Sequence, residues 1–385
     1  MSRVALACAA ASSAPRPLLP MPFNALNFSA GPGALPASVL AQTREAIVEL
    51  PDTGLSVLGM SHRSDWFRAL LDEADCNIRD LLGLPDRYEV VFLQGGSSLL
   101  FATIPMNFAT PQHAAPEYVT SGYWSARATA EAARVGPQRV AWDGSADGYR
   151  SLPALQTLDV DSDAAYLHFV SNETVEGLQF AESACFPADV PLIVDMSSDF
   201  LSKPIVTDRF SIVYAHAQKN LGPAGVSIAV IDRSMLERIP CGLPAILDFR
   251  THVTHRSNYN TPPVFAIYVL TLVTRWLRDD IGGLAAMERI NKAKAQRIYS
   301  TLDDLGDLVH VHAKTPWRSQ MNVAFTLGSP QLDRTFIEVA RERGFVGLDG
   351  HRSLGGLRAS LYNAVTPEAV DALCEALTEF CRKHA

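Results

Sequence analysis

Short apolar runs alternate with amphipathic stretches between residues 85 and 232. The runs are rich in β-branched and aromatic residues and have the length of strands, whereas the stretches between them suit helices. Strands that are joined by crossover helices form mostly parallel sheets, so this order predicts an α/β fold with helices on both faces of the sheet. The predicted strands are Glu89–Leu93, Tyr118–Thr120, Tyr166–Val170, Leu192–Asp195, Ser211–Ala215 and Val226–Ile231.

The pattern changes after the paired glycines Gly282 and Gly283. An apolar segment just before them, 264–273, is followed by a charged residue and is too short to span a membrane, so we interpret it as a buried helix. We predict a large domain over 22–283, with its N-terminal segment packed on a small α+β domain over 284–385. The predicted elements of the small domain are helices Leu284–Leu302, Leu332–Arg343 and Pro367–Arg382 and strands Asn322–Leu327 and Leu357–Tyr362.

Composition narrows the function classes. The 33 basic residues are outnumbered by 41 acidic residues, for a net charge of −8, which disfavours nucleic acid and anionic membranes as partners. The six cysteines form no Cys-x-x-Cys pair or zinc-type spacing, so we expect free thiols, no metal site and a cytoplasmic location. Residues 1–21 are rich in Ala, Ser and Pro and favour a disordered extension, although a transit peptide stays an alternative.

Three places at predicted strand ends carry candidate chemistry, because ligands bind outside the carboxyl ends of parallel strands. The first is a turn after the strand ending at Leu93, with two glycines followed by Ser97 and Ser98 at a helix start. Free backbone N–H groups and the helix dipole make such a turn an anion site. A turn that only caps the helix is the commoner case.

The second and third places supply opposite charges. Asp195 closes an apolar strand, where a buried carboxylate needs a cationic partner, unless it only caps the turn that follows. Lys219 lies 24 residues further on, in a loop between two strands, where a half-buried lysine can lose its proton and form an imine with an aldehyde. Most loop lysines are merely solvated, so neither residue decides the function by itself.

Together these groups match pyridoxal phosphate: an anion cradle for its phosphate, a counter-charge for its pyridine nitrogen and an amine for its aldehyde. Trp124 offers a flat face for the ring, although a tryptophan is more often part of the core. Thr174 could bond a ring substituent or simply cap a turn. The combination therefore predicts a pyridoxal-phosphate enzyme.

The chain from Phe28 to its C-terminus resembles the phosphoserine aminotransferases, which belong to the class V, fold-type I pyridoxal-phosphate enzymes. Agreement at many separated motifs carries the resemblance. The motifs are Asn27 to Gly33, Met60 to Ser64, Gly122-Tyr123-Trp124, Asn172-Glu173-Thr174, Asp195 to Ser198, Ala217 to Asn220, Tyr259 to Pro263, and Gly350-His351-Arg352 running on to Arg358-Ala359-Ser360.

The resemblance implies a role for each residue of the cofactor site. Lys219 is implied to be the lysine that binds the cofactor aldehyde and moves the proton, and Asp195 the partner of the ring nitrogen. Trp124 would stack on the ring and Thr174 would bond its oxygen side. The implied phosphate cradle consists of Ser97, Ser98 and Gln218, with Asn260 and Thr261 from the neighbouring subunit of a homodimer.

The resemblance also implies the reaction, the transfer of an amino group from L-glutamate to 3-phosphohydroxypyruvate in serine biosynthesis. A side reaction in pyridoxine biosynthesis is a further possibility. Arg358 would grip the substrate α-carboxylate, since an arginine in an apolar strand needs an anion. His62, Arg63, His351 and Arg352 would form the phosphate-side cluster, some of them reaching across the dimer.

One departure and three alternatives qualify this interpretation. Some family members have an arginine at the place of Ser98, so the cofactor-phosphate turn loses a possible contact with substrate phosphate. The alternatives are another class V aminotransferase of the alanine- or serine-glyoxylate type, a desulfurase or lyase, and a noncatalytic relative. A desulfurase needs a cysteine on a mobile Gly/Ser-rich loop, and a noncatalytic protein has no need of Lys219, Asp195 and Arg358 together.

Overall fold

The structure, a computed structural model, describes residues 24–181 and 190–384. Its centre is a seven-stranded sheet in the order β1-β9-β8-β7-β4-β2-β3. The strands of the chain are β1 Tyr88–Gln94, β2 Glu117–Thr120, β3 Arg139–Asp143, β4 Leu167–Val170, β5 Asn172–Glu173, β6 Leu178–Gln179, β7 Leu192–Asp195, β8 Ile212–His216, β9 Val226–Asp232, β10 His310–Val311, β11 Asn322–Thr326 and β12 Leu357–Ser360.

Strands β8, β7, β4, β2 and β3 run parallel, whereas β9 is antiparallel to both of its neighbours, β8 and β1. The predicted α/β fold with a mostly parallel sheet is therefore confirmed. All six predicted strands are present in the sheet. The sequence pattern missed β3, an edge strand whose residues are exposed or half-buried and which therefore lacks a continuous apolar run.

Helices cover both faces of the sheet. Helix bounds are α1 Ala37–Val48, α2 Asp65–Leu82, α3 Ser97–Phe108, α4 Tyr123–Val135, α5 Arg233–Leu236, α6 Phe249–Thr254, α7 Val264–Arg275, α8 Leu284–Asp304, α9 Pro330–Glu342 and α10 Pro367–His384. The apolar segment predicted to be a buried helix is α7, which packs against α2 in the core. Within the described residues, no helix is long and apolar enough to cross a membrane.

The C-terminal elements have a core of their own. The three-stranded antiparallel sheet β10-β11-β12 packs with α8, α9 and α10 around residues such as Phe336 and Leu377. Phe28 from the N-terminal segment lies in this same core, and its backbone N–H bonds to Val346. The boundary between residues 283 and 284 stays a prediction, and the extension predicted over 1–21 lies outside the described residues.

Candidate active site

Lys219 lies in the loop that connects β8 to β9, at the carboxyl ends of the parallel strands. Its side chain is buried, with 7% of the residue exposed. The amine Nζ donates to the hydroxyl Oγ1 of Thr174, 2.6 Å away. Burial lowers the pKa of this amine from its ordinary value to about 8. The negative charge of Asp195 acts in the opposite direction, because it favours the ammonium form. A lysine in this state supplies a neutral, nucleophilic amine near neutral pH.

The N-terminal segment passes directly over the Lys219 loop. The backbone N–H of Gly33 donates to the carbonyl of Gln218 over 2.8 Å. A side chain at residue 33 would have its Cβ only 2.7 Å from the Tyr362 ring and 2.9 Å from the Lys219 carbonyl oxygen. Glycine is therefore required for this close approach, which accounts for part of the Asn27 to Gly33 motif.

Asp195 stands at the end of β7 and is almost fully buried. Its Oδ1 accepts from the backbone N–H of Ser197 over 2.8 Å, and its carboxylate also accepts from the Tyr214 hydroxyl. Burial raises the pKa of this carboxyl, while the Ser197 hydrogen bonds and the Lys219 charge lower it. The turn-capping role expected as the alternative is present, and it coexists with a buried charge beside the lysine.

A second layer of polar side chains lies behind Asp195. The hydroxyl of Tyr214 is 2.8 Å from Nε2 of His168, and both residues are buried in the sheet. Burial lowers the pKa of His168 to about 3, so this imidazole stays neutral. Neither residue is predicted from the sequence, because a histidine and a tyrosine within apolar strands look like ordinary core positions.

Trp124 lies in the first turn of α4, and its ring centroid is 5.9 Å from the Lys219 amine. A buried carboxylate from β5, Glu173, accepts from the backbone N–H of Trp124 over 3.1 Å. The next acidic residue, Glu176, accepts from the backbone N–H of Tyr123 over 3.0 Å. Burial and the charge of Glu173 raise the pKa of Glu176 to about 8. Glu173 belongs to the Asn172-Glu173-Thr174 motif, but the sequence alone predicts no role for it.

The predicted phosphate turn forms the start of α3. Ser97 is buried and its Oγ lies 2.6 Å from Oγ of Ser197, whereas Ser98 is exposed. Gly96 precedes the helix and no side chain caps it, which leaves the helix start open to an anion. Gln94 donates its side-chain amide to the carbonyl of Thr261 in the same chain.

Arg358 lies on β12 and points toward the same group of residues. Its Nη1 donates to the carbonyl of Thr174 over 3.3 Å, which places it next to the residue that holds Lys219. Its Nε finds no hydrogen-bond partner among the residues that the structure describes, although it is buried. An orphaned guanidinium N–H in this position is a ready donor for a carboxylate.

The four residues of the predicted phosphate-side cluster fall into two pairs. His351 packs against the Tyr123 ring, with centroids 4.5 Å apart, and Arg352 hydrogen-bonds the Tyr123 side chain. This pair therefore borders the Trp124 turn. His62 and Arg63 precede α2, where the carbonyl of His62 accepts from Nδ2 of Asn258. No contact between this second pair and Lys219 occurs within residues 24–181 and 190–384.

The two remaining predicted cofactor residues lie in the segment before α7. Asn260 is half-buried and Thr261 is exposed. Thr261 of this segment contacts Gln94, which lies at the end of β1 just before the phosphate turn. Among the described residues, no group of three or more His, Cys, Asp or Glu side chains could hold a metal ion.

Comparisons with known proteins identify the family to which the chain belongs. The family model of class-V aminotransferases matches residues 25–373. A phosphoserine aminotransferase of Geobacillus kaustophilus is 46% identical over 94% of this chain and 99% of its own. The solved phosphoserine aminotransferase of Bacillus circulans subsp. alkalophilus has a TM-score of 0.90 at 43% identity, covering 94% of this chain and 99% of its own. A pyridoxal-phosphate-bound phosphoserine aminotransferase of Trichomonas vaginalis has a TM-score of 0.85 at 37% identity, covering 92% and 99%.

The residues present fit pyridoxal phosphate. The Lys219 amine lies beside the Trp124 indole ring and senses the charge of the Asp195 carboxylate. Ser97 at the start of α3 reaches the turn after Asp195 through its contact with Ser197. The orphaned Nε of Arg358 supplies an additional donor for an anionic substrate. With the family model and the relatives, these observations place the chain among the class-V aminotransferases, in the phosphoserine aminotransferase family.

Proposed function

We propose that this chain transfers the amino group of L-glutamate to 3-phosphohydroxypyruvate, giving O-phospho-L-serine and 2-oxoglutarate, with pyridoxal phosphate as cofactor. The observation that carries the proposal is the buried Lys219 amine, held by Thr174 beside the Trp124 ring and the Asp195 carboxylate. A binding protein would not need an amine of this kind placed between an aromatic ring and a buried carboxylate. The relatives named as phosphoserine aminotransferases support the substrate and a place in serine biosynthesis.

Pyridoxal phosphate, when bound, supplies a ring that withdraws electrons from the substrate α-carbon. The residues of the chain orient the reactants and move protons. Asp195 would face the ring nitrogen and keep it protonated, because a buried carboxylate is most stable beside a positive charge. Trp124 would hold the ring plane, and Thr174 would bond the oxygen side. Nζ of Lys219 would accept the proton from the α-carbon and deliver it again on the product side.

Each substrate has two anionic groups, and the basic residues are arranged to bind both. Arg358 would bind the α-carboxylate, which phosphoserine and glutamate share, through its unpaired guanidinium donors. His351 and Arg352, next to Tyr123, would face the phosphate or the side-chain carboxylate. His62 and Arg63 would complete this cluster. Ser97, Ser98 and Gln218 would hold the cofactor phosphate.

The proposal includes a homodimer with two shared sites. His62, Arg63 and Asn260 carry chemistry suited to anions, yet in one chain their contacts lead away from Lys219. A second copy can bring them to the site, and twofold symmetry then builds two equivalent sites. Asn260 and Thr261 of one subunit would complete the cofactor-phosphate cradle of the other.

Mixing two inactive variants tests the shared sites. Lys219→Ala is combined with a variant that changes both Arg63 and Asn260 to Ala. In a mixed dimer, one of the two sites would have all its residues intact, so random exchange should restore about a quarter of wild-type activity. No restoration, although light scattering and mass spectrometry show exchange, would refute the shared site.

Two finer parts of the proposal have separate tests. Activity on the phosphorylated hydroxythreonine of pyridoxine biosynthesis is tested with that substrate, and equal rates with its unphosphorylated form would contradict this side reaction.

A cytoplasmic location suits the exposed free thiols of Cys76 and Cys241, and cell fractionation tests this location.

The main experiment compares amino donors. The purified protein with pyridoxal phosphate is assayed with phosphoserine, serine and alanine, each with 2-oxoglutarate as acceptor. We expect kcat/KM for phosphoserine to exceed the others by more than about 100-fold, because two anionic groups are bound in place of one. Equal rates would mean that the basic cluster does not read phosphate, and a protein that binds no cofactor would overturn the whole proposal.

A further inference from the structure

Glu173 is a buried carboxylate that faces the start of α4 from strand β5. None of its surface is exposed. Its Oε1 accepts from the Ser125 backbone N–H over 3.0 Å and from the Ser121 hydroxyl over 3.2 Å. Its Oε2 accepts from the Trp124 backbone N–H over 3.1 Å. The carboxylate thus satisfies two of the N–H groups that the first turn of a helix leaves without partners.

The approach of Glu173 depends on the residue that precedes the helix. A Cβ at residue 122 would lie 2.7 Å from Cδ of Glu173 and 2.5 Å from Oε2 of Glu176. Only glycine leaves room for the carboxylates against the helix start. The Gly122-Tyr123-Trp124 motif and the Asn172-Glu173-Thr174 motif are therefore two sides of one contact.

The same short segment also holds the amine. Thr174 follows Glu173 directly, and its hydroxyl accepts from Nζ of Lys219 over 2.6 Å. Its carbonyl accepts from Arg358. Consecutive residues therefore set the place of the Trp124 ring on one side and of the reactive amine on the other, and the separation between ring centroid and amine is 5.9 Å.

We propose that Glu173 is a positioning residue, whose carboxylate fixes the first turn of α4 and with it the Trp124 ring beside the Lys219 amine, where the ring would stack on the cofactor. This inference rests on the proposed function, since it presumes that pyridoxal phosphate binds beside Lys219. Glu173 is fully buried against this turn, so it would act through Trp124 and not by direct contact with cofactor or substrate. A glutamine at this place offers one acceptor oxygen where two N–H groups and a hydroxyl now donate, so at least one bond to the turn is lost.

The test compares Glu173→Gln with the wild-type holoenzyme. We expect the Kd for pyridoxal phosphate to rise about tenfold, as for the loss of a hydrogen bond to a charged group, and the visible circular dichroism of the cofactor to fall. The matched control is Glu117→Gln, another buried glutamate, which pairs with Arg139 at the far edge of the sheet. The control should leave the cofactor Kd and spectrum unchanged even if it lowers the melting temperature.

A double-mutant cycle separates positioning from general destabilisation. In a Trp124→Ala background, Glu173→Gln should change the cofactor Kd by less than about twofold, because the residue through which it acts is gone. An equal loss in both backgrounds would overturn the proposal. So would a wild-type Kd and dichroism in the single variant.

The failure of the inference and of the proposed function are distinguishable. If the wild-type protein binds no pyridoxal phosphate, the proposed function fails. If the wild-type protein binds it and Glu173→Gln binds it equally well with the same dichroism, only the positioning role fails. Should Glu173→Gln not fold, Glu173→Asp replaces it, since aspartate keeps the charge but is one methylene too short to hold the turn. The cofactor Kd, the dichroism and the double-mutant cycle are then measured with Glu173→Asp, and the same outcomes support or overturn the positioning role.

Discussion

The two halves of the candidate site differ in how completely one chain builds them. Lys219, Asp195 and Thr174 are buried, and each has a hydrogen-bond partner within the chain. Around Arg63 and Arg352 the side chains are exposed, and the first of them has no described contact with the site. Buried charges must be compensated within the fold, whereas exposed charges are solvated by water and can bind a ligand or another chain. We therefore expect the buried half to determine the reaction and the exposed half to determine the substrate.

The largest effect should come from the buried half. Lys219→Ala removes the amine that we propose bonds the cofactor and moves the proton, so kcat should fall by more than about ten-thousand-fold. Steady-state assays with phosphoserine and 2-oxoglutarate measure this. Borohydride reduction followed by mass spectrometry should find no cofactor attached to the variant.

Lys294 offers a matched comparison for that prediction. It is a second buried lysine, its amine donates to three backbone carbonyls of residues after β12, and burial lowers its pKa to about 7. Lys294→Met should lower the melting temperature while cofactor labelling still occurs at Lys219. Labelling lost in Lys294→Met but kept in Lys219→Ala would reverse the assignment.

Asp195→Asn should give the next largest effect. Loss of the charge beside the ring nitrogen should lower kcat by about 100- to 1000-fold, as for removal of one preorganised electrostatic contact. Asp199→Asn is the control, because Asp199 is equally buried but bonds Ser171 and Gln179 instead. Equal kcat losses in the two variants would show that any buried carboxylate here matters only for folding.

Much of the buried half could be predicted from the sequence, because each of its groups follows a strand at the same edge of the sheet. Asp195 closes an apolar run and Lys219 lies in the loop that follows another one, so the sequence predicts both as candidates. Glu173, Tyr214 and His168 were not, since their roles depend on which strands become neighbours: His168 on β4 reaches Tyr214 on β8 only after both pair with β7. Strand order is a long-range property that local pattern does not contain.

The edge strand β3 was missed for a related reason, as its burial pattern is weak. The exposed half raises a different difficulty. Motifs such as Met60 to Ser64 marked His62 and Arg63, but nothing in the pattern of one chain says which site they serve. A contact between copies leaves no periodic signal in the sequence.

Two arginines on the substrate side, Arg358 and Arg352, differ in their exposure. Arg358 is half-buried with an unpaired Nε, and Arg358→Ala should lower kcat/KM about 100-fold for both phosphoserine and alanine, because both have the α-carboxylate. Arg352 is exposed, and Arg352→Ala should lower kcat/KM about tenfold for phosphoserine only. The opposite pattern of selectivity would exchange the two roles.

The smallest effect concerns pH. Because the Lys219 pKa is about 8, the neutral fraction of its amine rises with pH and levels off above that value, whereas an ordinary lysine with a pKa of 10.5 would keep rising. Covalent uptake of pyridoxal phosphate by the cofactor-free protein should therefore accelerate about tenfold from pH 7 to pH 9 and then stay constant. Stopped-flow absorbance measures the rate of this uptake.

Asp195 favours the ammonium form of Lys219 and Arg358 disfavours it, so Asp195→Asn should move the inflection to lower pH and Arg358→Ala to higher pH. Shifts of the opposite sign would mean that these charges do not face the amine, and the buried half would have to be rebuilt from other residues.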